Sequence, residues 1–463
     1  MKYENQMSPF ITASAAAIPI HALGAHEWRA WIETRPEALK RLAAAHDFQA
    51  QNARILLVPA TDGAIERVLF GLGDAANAMT MGALAQHLPA GDYRIAAAPR
   101  EFAATLVAIA WGLGAYCFER YKKRKRPAPR LAAPEGADMA EAARIVNASW
   151  LARDLVNTPA NDMGPEALHA AAEAVARAHG ADFSAIIGDD LLAQNYPLIH
   201  AVGRAAGQKP RLLHLSWGDI SAPRIALVGK GVTFDTGGLD LKASSGMRLM
   251  KKDMGGAAHA LALAQIIMDA KLPVRLEVFL PVVENSVAGD AFRPGDVIVS
   301  RKGLSVEIDN TDAEGRLILA DGLARACEDA PALLLDFATL TGAARVALGP
   351  DLPALFARED ATAAALLAAG EAHDDPCWRL PLHGGYREWL KSDVADLNNA
   401  PAGGFAGASV AALFLDRFVP EGTDWAHFDT FAWRPTAKPG RPKGGDALGL
   451  RAAWHMLQAR YGS

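Results

Sequence analysis

Four apolar runs in the second half of the chain limit its fold more than any other feature: Ile225–Gly231 (IALVGKG), Val274–Val283 (VRLEVFLPVV), Leu304–Asn310 (LSVEIDN) and Ala332–Leu340 (ALLLDFATL). They are apolar at consecutive positions, which suits strands buried on both faces. Between and after them, Gly255–Ala270 and Leu317–Ala330 space their apolar residues as helices do. Strands alternating with helices predict an α/β fold with a central, mainly parallel sheet covered by helices on both faces. Upstream, Ala53–Ala60 and Tyr93–Pro99 alternate with the helical pattern Ala76–Leu88, which predicts a smaller α/β domain. The segment Pro127–Gly136 (PAPRLAAPEG) turns to Pro, Ala and Gly and reads as a linker. The boundary is expected near residue 135, with an N-terminal domain over 1–135 and a larger one over 136–463. No internal repeat is evident.

Composition removes whole classes of function. With 463 residues, 51% hydrophobic and 21% charged, the chain is neither disordered nor a small disulfide scaffold. Any metal would therefore serve chemistry, not folding. Cys117, Cys327 and Cys377 are scattered and odd in number, which fits packing roles in a reducing compartment. The opening MKYENQMSPF lacks an apolar run of signal-peptide length, so a cytoplasmic location is expected. Phe102–Phe118 is apolar and precedes the basic run Lys122–Arg126, but 17 residues sit at the short edge of a spanning helix. A buried helix is the reading, with no membrane partner. A formal charge of -5 argues against a global nucleic-acid footprint, and YKKRKR (Tyr121–Arg126) reads as a solvated helix end, so DNA binding is not expected.

The polar residues that carry chemistry lie at the ends of the predicted strands, where parallel sheets gather their working groups. VGKGVTFDTGG (Val228–Gly238) puts Lys230 and Asp235 in a glycine-rich loop. It matches neither the Walker pattern nor G-x-G-x-x-G, and its acid would repel a phosphate. Lys242 alone could be a solvated lysine, and Asp253 alone a helix N-cap worth about 1 kcal/mol. NTDAEGRL (Asn310–Leu317) makes those readings harder to hold together: Asp312, Glu314 and Arg316 alternate, so an extended backbone would aim all three the same way. Four grouped acids, Asp235, Asp253, Asp312 and Glu314, need counter-charge beyond one arginine. Two divalent cations would neutralise them, and such donors suit zinc, manganese or magnesium. A two-metal hydrolase is the result, with the bond it cuts left open. The 13 histidines form no H-E-x-x-H pair, His259 reads as packed or solvent-facing, and Ser244 and Ser245 match no nucleophile elbow.

VGKGVTFDTGG, DMGGAA and above all NTDAEGRL resemble the signature of the leucyl aminopeptidase family of dinuclear zinc exopeptidases. RDLVNTPAND (Arg153–Asp162), RPGDVI (Arg293–Ile298), ATLTGA (Ala338–Ala343), SDVADLNN (Ser392–Asn399) and WAHFD (Trp425–Asp429) extend the similarity through most of residues 150–430. The first 130 residues resemble the family's N-terminal domain only weakly. The resemblance implies one metal surrounded by Lys230, Asp235, Asp253 and Glu314 and another by Asp235, Asp312 and Glu314, with Asp235 and Glu314 bridging. The ions would be Zn2+ or Mn2+, with Mg2+ an alternative in one site. Lys230 would be a neutral amine, whereas the residues alone would make it a substrate-binding cation. Lys242, kept protonated, would stabilise the oxyanion, and Arg316 would hold a bicarbonate ion acting as general base. A substrate amine on one metal would restrict cleavage to peptides with a free N-terminus, as in cytoplasmic peptide turnover.

Met250, Asn310, Thr339, Leu340 and Gly342 match positions that line the family's substrate pocket. After WAHFD the chain departs from that pattern: Phe431 and Trp433 stand where a small Ala-Gly segment is expected. A preference for leucine is therefore not implied. The family also implies a homohexamer of two stacked trimers.

Overall fold

The computed structural model describes residues 8–74, 76–401 and 403–462. The opening residues read for a leader, up to Met7, lie outside that range. Two compact units result. One comprises residues 8–150 with Thr436–Lys443, and the other Leu151–Pro435 with 444–462. The division falls inside the helix Met139–Asn157, whereas the Pro-rich segment ends before that helix begins.

The smaller unit holds a six-stranded sheet in the order Phe10–Ile11, Arg130–Ala132, Asp92–Ala97, Ile18–Gly24, Ile65–Gly73 and Ile55–Pro59. Its neighbours pair in parallel except the last two, which are antiparallel. The apolar stretch after Phe102 forms the helix Ala104–Gly114, buried from Val107 onward. Eleven residues rise about 16 Å, roughly half a bilayer's hydrocarbon thickness. Among the described residues no helix is long and apolar enough to cross a membrane.

The larger unit is built on the expected sheet. Its central strands, Trp425–Asp429, Leu333–Ala338, Arg224–Gly229 and Arg275–Asn285, run parallel to one another, and antiparallel strands extend both sides. Alternate residues of Arg224–Gly229 serve opposite faces. Ala226 and Val228 join a core cluster with Leu317, Leu323 and Leu413 from two helices, while Ile225 and Leu227 are equally buried. The Glu314–Cys327 helix packs beside Pro197–Gly203 and Gly407–Asp416, and the Gly255–Asp269 helix beside Pro165–His179 and Leu450–Tyr461. Both contact the Arg224–Gly229 strand.

Two local expectations change. Leu304–Asn310 does not join the central sheet; only Ser305–Glu307 is a strand, in a separate three-stranded sheet with Val297–Val299 and Leu397–Asn398. The polar residues after it end the ladder, because Asn399 Oδ1 takes the amides of Asp309 and Asn310. Conversely, the expected loop after Lys230 is partly strand: Gly231–Asp235 pairs in parallel with Arg275–Asn285. Val232, Thr233 and Phe234 suit that pleat.

Candidate active site

Lys230 occupies the break between two strands, and Asp235 is the last residue of the second. Both are buried. Asp235 Oδ1 accepts from the Gly237 amide and from Asn285 Nδ2, each at 2.9 Å, which fixes the carboxylate at the sheet end. Asp253 sits in the 3-10 turn Met250–Met254 and is no N-cap of the following helix. Its Oδ1 instead accepts from Thr339 Oγ1 at 2.8 Å.

NTDAEGRL converges by a geometry other than the extended one. Asp312 lies in a turn, its amide bonded to Asn310 Oδ1 at 2.7 Å, while Glu314 and Arg316 belong to the first turn of the Glu314–Cys327 helix. Asp312, Glu314 and Arg316 do come together, but the helix start and Asn399 set their positions, not the pleat expected from their alternation. Asn399 bonds the backbone at Asp309, Asn310 and Ala313, and its own carbonyl accepts from Arg316 Nη1 at 2.7 Å.

The outcome is a concentrated acid cluster. Oxygens of Asp235, Asp312 and Glu314 lie within 4.8 Å of one another. Lys230 Nζ reaches Asp253 Oδ2 at 2.8 Å, Glu314 Oε1 at 3.0 Å and the Thr339 carbonyl at 3.0 Å. Lys242 bridges Asp235, at 2.8 Å, and Asp312. Two glycines permit this density. A methyl at Gly315 would stand 2.5 Å from Lys230 Nζ, and one at Gly256 would meet the Phe337 carbonyl and the Lys230 amide.

Charge crowding shows in the proton affinities. Burial, then the Asp235 charge, pushes Glu314 up to about 8, and the same two causes push Asp312 up to about 6. Burial pulls Lys230 down, but Asp253, Glu314 and Asp235 outweigh it and hold the ammonium above the usual lysine range. Lys242 is raised in the same way, burial being outweighed by Asp235 and Glu314. Arg316 is lowered to about 10 by burial, and its Nε is buried without a hydrogen-bond partner. Asp253 Oδ2 and Glu314 Oε1 are likewise buried and receive no aligned hydrogen bond, although Lys230 is within ion-pair reach. Unfilled oxygens in a carboxylate cluster are what a cation site presents.

Of the residues expected to line a substrate pocket, Thr339 touches Asp253 directly, and Asn310 holds Asp312. The Leu340 amide donates to Asp429 Oδ1 at 3.0 Å. Met250 opens the turn carrying Asp253, and Gly342 begins the helix capped by Thr341. Three positioning residues escaped the sequence reading: Asn285, Asn399 and Asp429. The last two lie in SDVADLNN and WAHFD, segments noticed without any role for these side chains. Phe431 has two cations near its ring, Arg345 at 4.8 Å and Lys252 at 5.4 Å from the ring centre, and Lys251 is 5.4 Å from the Trp433 ring.

A family model described as the cytosol aminopeptidase family, catalytic domain, matches residues 150–453, and the N-terminal domain of the same aminopeptidases matches residues 18–134. The chain belongs to the cytosol (leucyl) aminopeptidase family. As a cytosol aminopeptidase family member it is a hydrolase of aminopeptidase type, in a metal-dependent family, and the resemblance carried by NTDAEGRL holds. Peptidase B of Pectobacterium carotovorum is 44% identical over 324 residues, covering 68% of this chain and 74% of that protein. The crystal structure of cytosol aminopeptidase from Coxiella burnetii is 45% identical, with a TM-score of 0.94 over 98% of this chain and 100% of the other. The bottromycin maturation enzyme BotP in complex with Mn is 34% identical, with a TM-score of 0.87 over 96% of this chain and 100% of the other. The weak N-terminal likeness thus extends to a family domain.

Proposed function

We propose that this aminopeptidase removes the N-terminal residue from peptides with a free α-amino group, with two divalent metal ions held by Lys230, Asp235, Asp253, Asp312 and Glu314. The observation that carries this reading is the pair of buried oxygens, Asp253 Oδ2 and Glu314 Oε1, that receive no aligned hydrogen bond and have only the Lys230 ammonium within reach, beside Asp312 and Glu314, whose proton affinities burial and the Asp235 charge raise. The donor set fits zinc or manganese, and the relative solved with Mn supports the second. Bound there, the ions would supply an activated water and polarise the scissile carbonyl.

The chain's own residues do the rest. Asp235 and Glu314 would serve both ions, a role supported by their oxygens lying within 4.8 Å of each other and of Asp312. Lys230 is within reach of Asp253 and Glu314, so taking up metal would require it to give up its proton. Lys242 keeps its ammonium at the edge of the acids, placed to donate to the oxyanion of the attacked carbonyl, a contribution of about 3 kcal/mol. Arg316, its Nε unpartnered, would hold a bicarbonate ion, which would supply the general base there. Met250, Asn310, Thr339, Leu340 and Gly342 line the substrate side-chain pocket, and the cations around Phe431 set it apart from a purely apolar leucine pocket. The same reading takes the enzyme as a cytoplasmic homohexamer of two trimers, with the domain boundary near residue 135. A hexameric mass in light scattering supports the assembly, and a monomeric mass refutes it.

Purified protein loaded with Zn(II) or Mn(II) is tested on matched free and N-acetylated peptides. Cleavage of the free set alone, abolished by chelation and restored by metal, is expected. Equal cleavage of both sets, or of neither, would sink the reading.

A further inference from the structure

We propose that a cavity in the larger unit, formed by residues that do not belong to the carboxylate site, binds a small organic anion carrying at least two negative charges. The cavity has a volume of about 940 Å³, within the range of small-molecule sites. Five cations line it, Lys302, Arg358, Arg379, Arg387 and Arg417, against two acids, Asp416 and Glu421.

The imbalance is built into the fold. Asp416 is already shared: its Oδ1 accepts from Arg358 Nε at 2.8 Å and its Oδ2 from Arg387 Nη2 at 2.9 Å. One carboxylate thus serves two guanidinium groups. Backbone carbonyls hold several of the cations in place. Arg358 also donates to the carbonyls of Asp416, Val419 and Pro420, and Lys302 Nζ to the Arg417 carbonyl at 2.6 Å. Arg379 Nη2 donates to the Ala357 carbonyl at 3.2 Å, while its Nη1 pairs with the exposed Asp360 at 2.7 Å, so the surplus rests on Lys302, Arg387 and Arg417. A carbonyl fixes a cation's position without neutralising it. The Arg417 guanidinium makes no hydrogen bond or ion pair among the described residues, and Arg387 is half-exposed with donors to spare. Lys302 records the crowding: burial, with Arg417 and Arg358 adding to it, lowers its proton affinity despite opposing contributions from Cys327 and Asp416.

Cations fixed before the ligand arrives lose little freedom when it binds. Guanidinium groups favour the paired oxygens of phosphate and carboxylate. Leu380, Pro381, Leu382 and Val419 complete the wall, so the ligand should have a short carbon body as well as charge. A phosphate monoester and a dicarboxylate share that chemistry.

The metal-loaded enzyme is titrated calorimetrically with glycerol 3-phosphate and, separately, with succinate, at low ionic strength. Binding of one molecule per chain, weakened about tenfold or more in Arg387→Ala/Arg417→Ala and weakened by added salt, is expected. Binding of the phosphate ester alone assigns the phosphate class, and binding of succinate as well assigns the wider dianion class. Peptide hydrolysis should be unchanged in the variant, which separates this site from the acid cluster. Should the double variant fold poorly, Arg417→Gln, which removes no observed hydrogen bond, is read instead. No binding of either probe below about 10 mM, or equal binding by wild type and variants, overturns the proposal.

Discussion

Glu314 and Asp321 lie on the same helix, two turns apart, and both are buried. Burial raises both carboxyls, Glu314 to about 8 and Asp321 to about 7. Their partners differ in kind. Asp321 takes the amides of Leu198 at 2.8 Å, Ile199 at 3.3 Å and Arg301 at 2.9 Å, tying two other segments to the helix. Glu314 faces a lysine and two other acids, Asp235 and Asp312, and its Oε1 receives no aligned hydrogen bond. Backbone donors cannot leave without unfolding something, whereas an ammonium can be replaced by another cation. Burial with a raised pKa therefore does not mark a functional acid by itself; replaceable partners do.

Exchanging the two acids' chemistry should separate these roles. The largest effect is expected for Glu314→Gln. Hydrolysis of a free peptide should fall by about 10³-fold or more, with the thermal midpoint little changed, because a carboxyl raised to about 8 is mostly uncharged near neutral pH and the amide replaces it at the same size. Steady-state kinetics beside a melting curve checks both halves, and retained activity would break the contrast. Gly315→Ala comes next. Its methyl would push Lys230 away from Glu314, and a loss of about 10²-fold with reduced metal affinity is expected, read by metal titration. Asp321→Ala should do the opposite: a loss of about 3 kcal/mol in stability from three stranded amides, with activity per folded molecule close to wild type.

The smallest effect is a pH dependence. Asp321 binds its proton more tightly when folded, at about 7 against the ordinary Asp value of 3.8. The stability it contributes is thus whole below about pH 4 and is lost as pH rises through about 7. Melting curves at pH 5 and pH 8 should differ less for Asp321→Asn than for wild type. Parallel curves would remove the proton from this account.

The central sheet was legible because its strands are apolar on both faces, a pattern set by local composition. The acid cluster was legible for a different reason. Asp312, Glu314 and Arg316 are costly residues to bury, so their grouping beside apolar runs had to mean counter-charge. Their geometry was not legible, since nothing within NTDAEGRL shows that a helix begins at Glu314. Asn399 explains part of that: it acts on the Asn310 carbonyl from 89 positions away, through backbone bonds that leave no local pattern. Asn285 reaches Asp235 across 50 positions in the same manner. Gly315 stood inside a recognised segment, but its reason for being glycine, the approach of Lys230, exists only in three dimensions. The cationic cavity draws on residues from Lys302 to Gly422, too dispersed to form a run.

Thr339 bonds Asp253 through its hydroxyl and Lys230 through its carbonyl, while Asp429 holds the next two amides along. The stretch expected to feel the substrate's side chain is thus mechanically continuous with the groups that would do the chemistry. Engineering a new preference into this loop should carry a rate penalty from the outset.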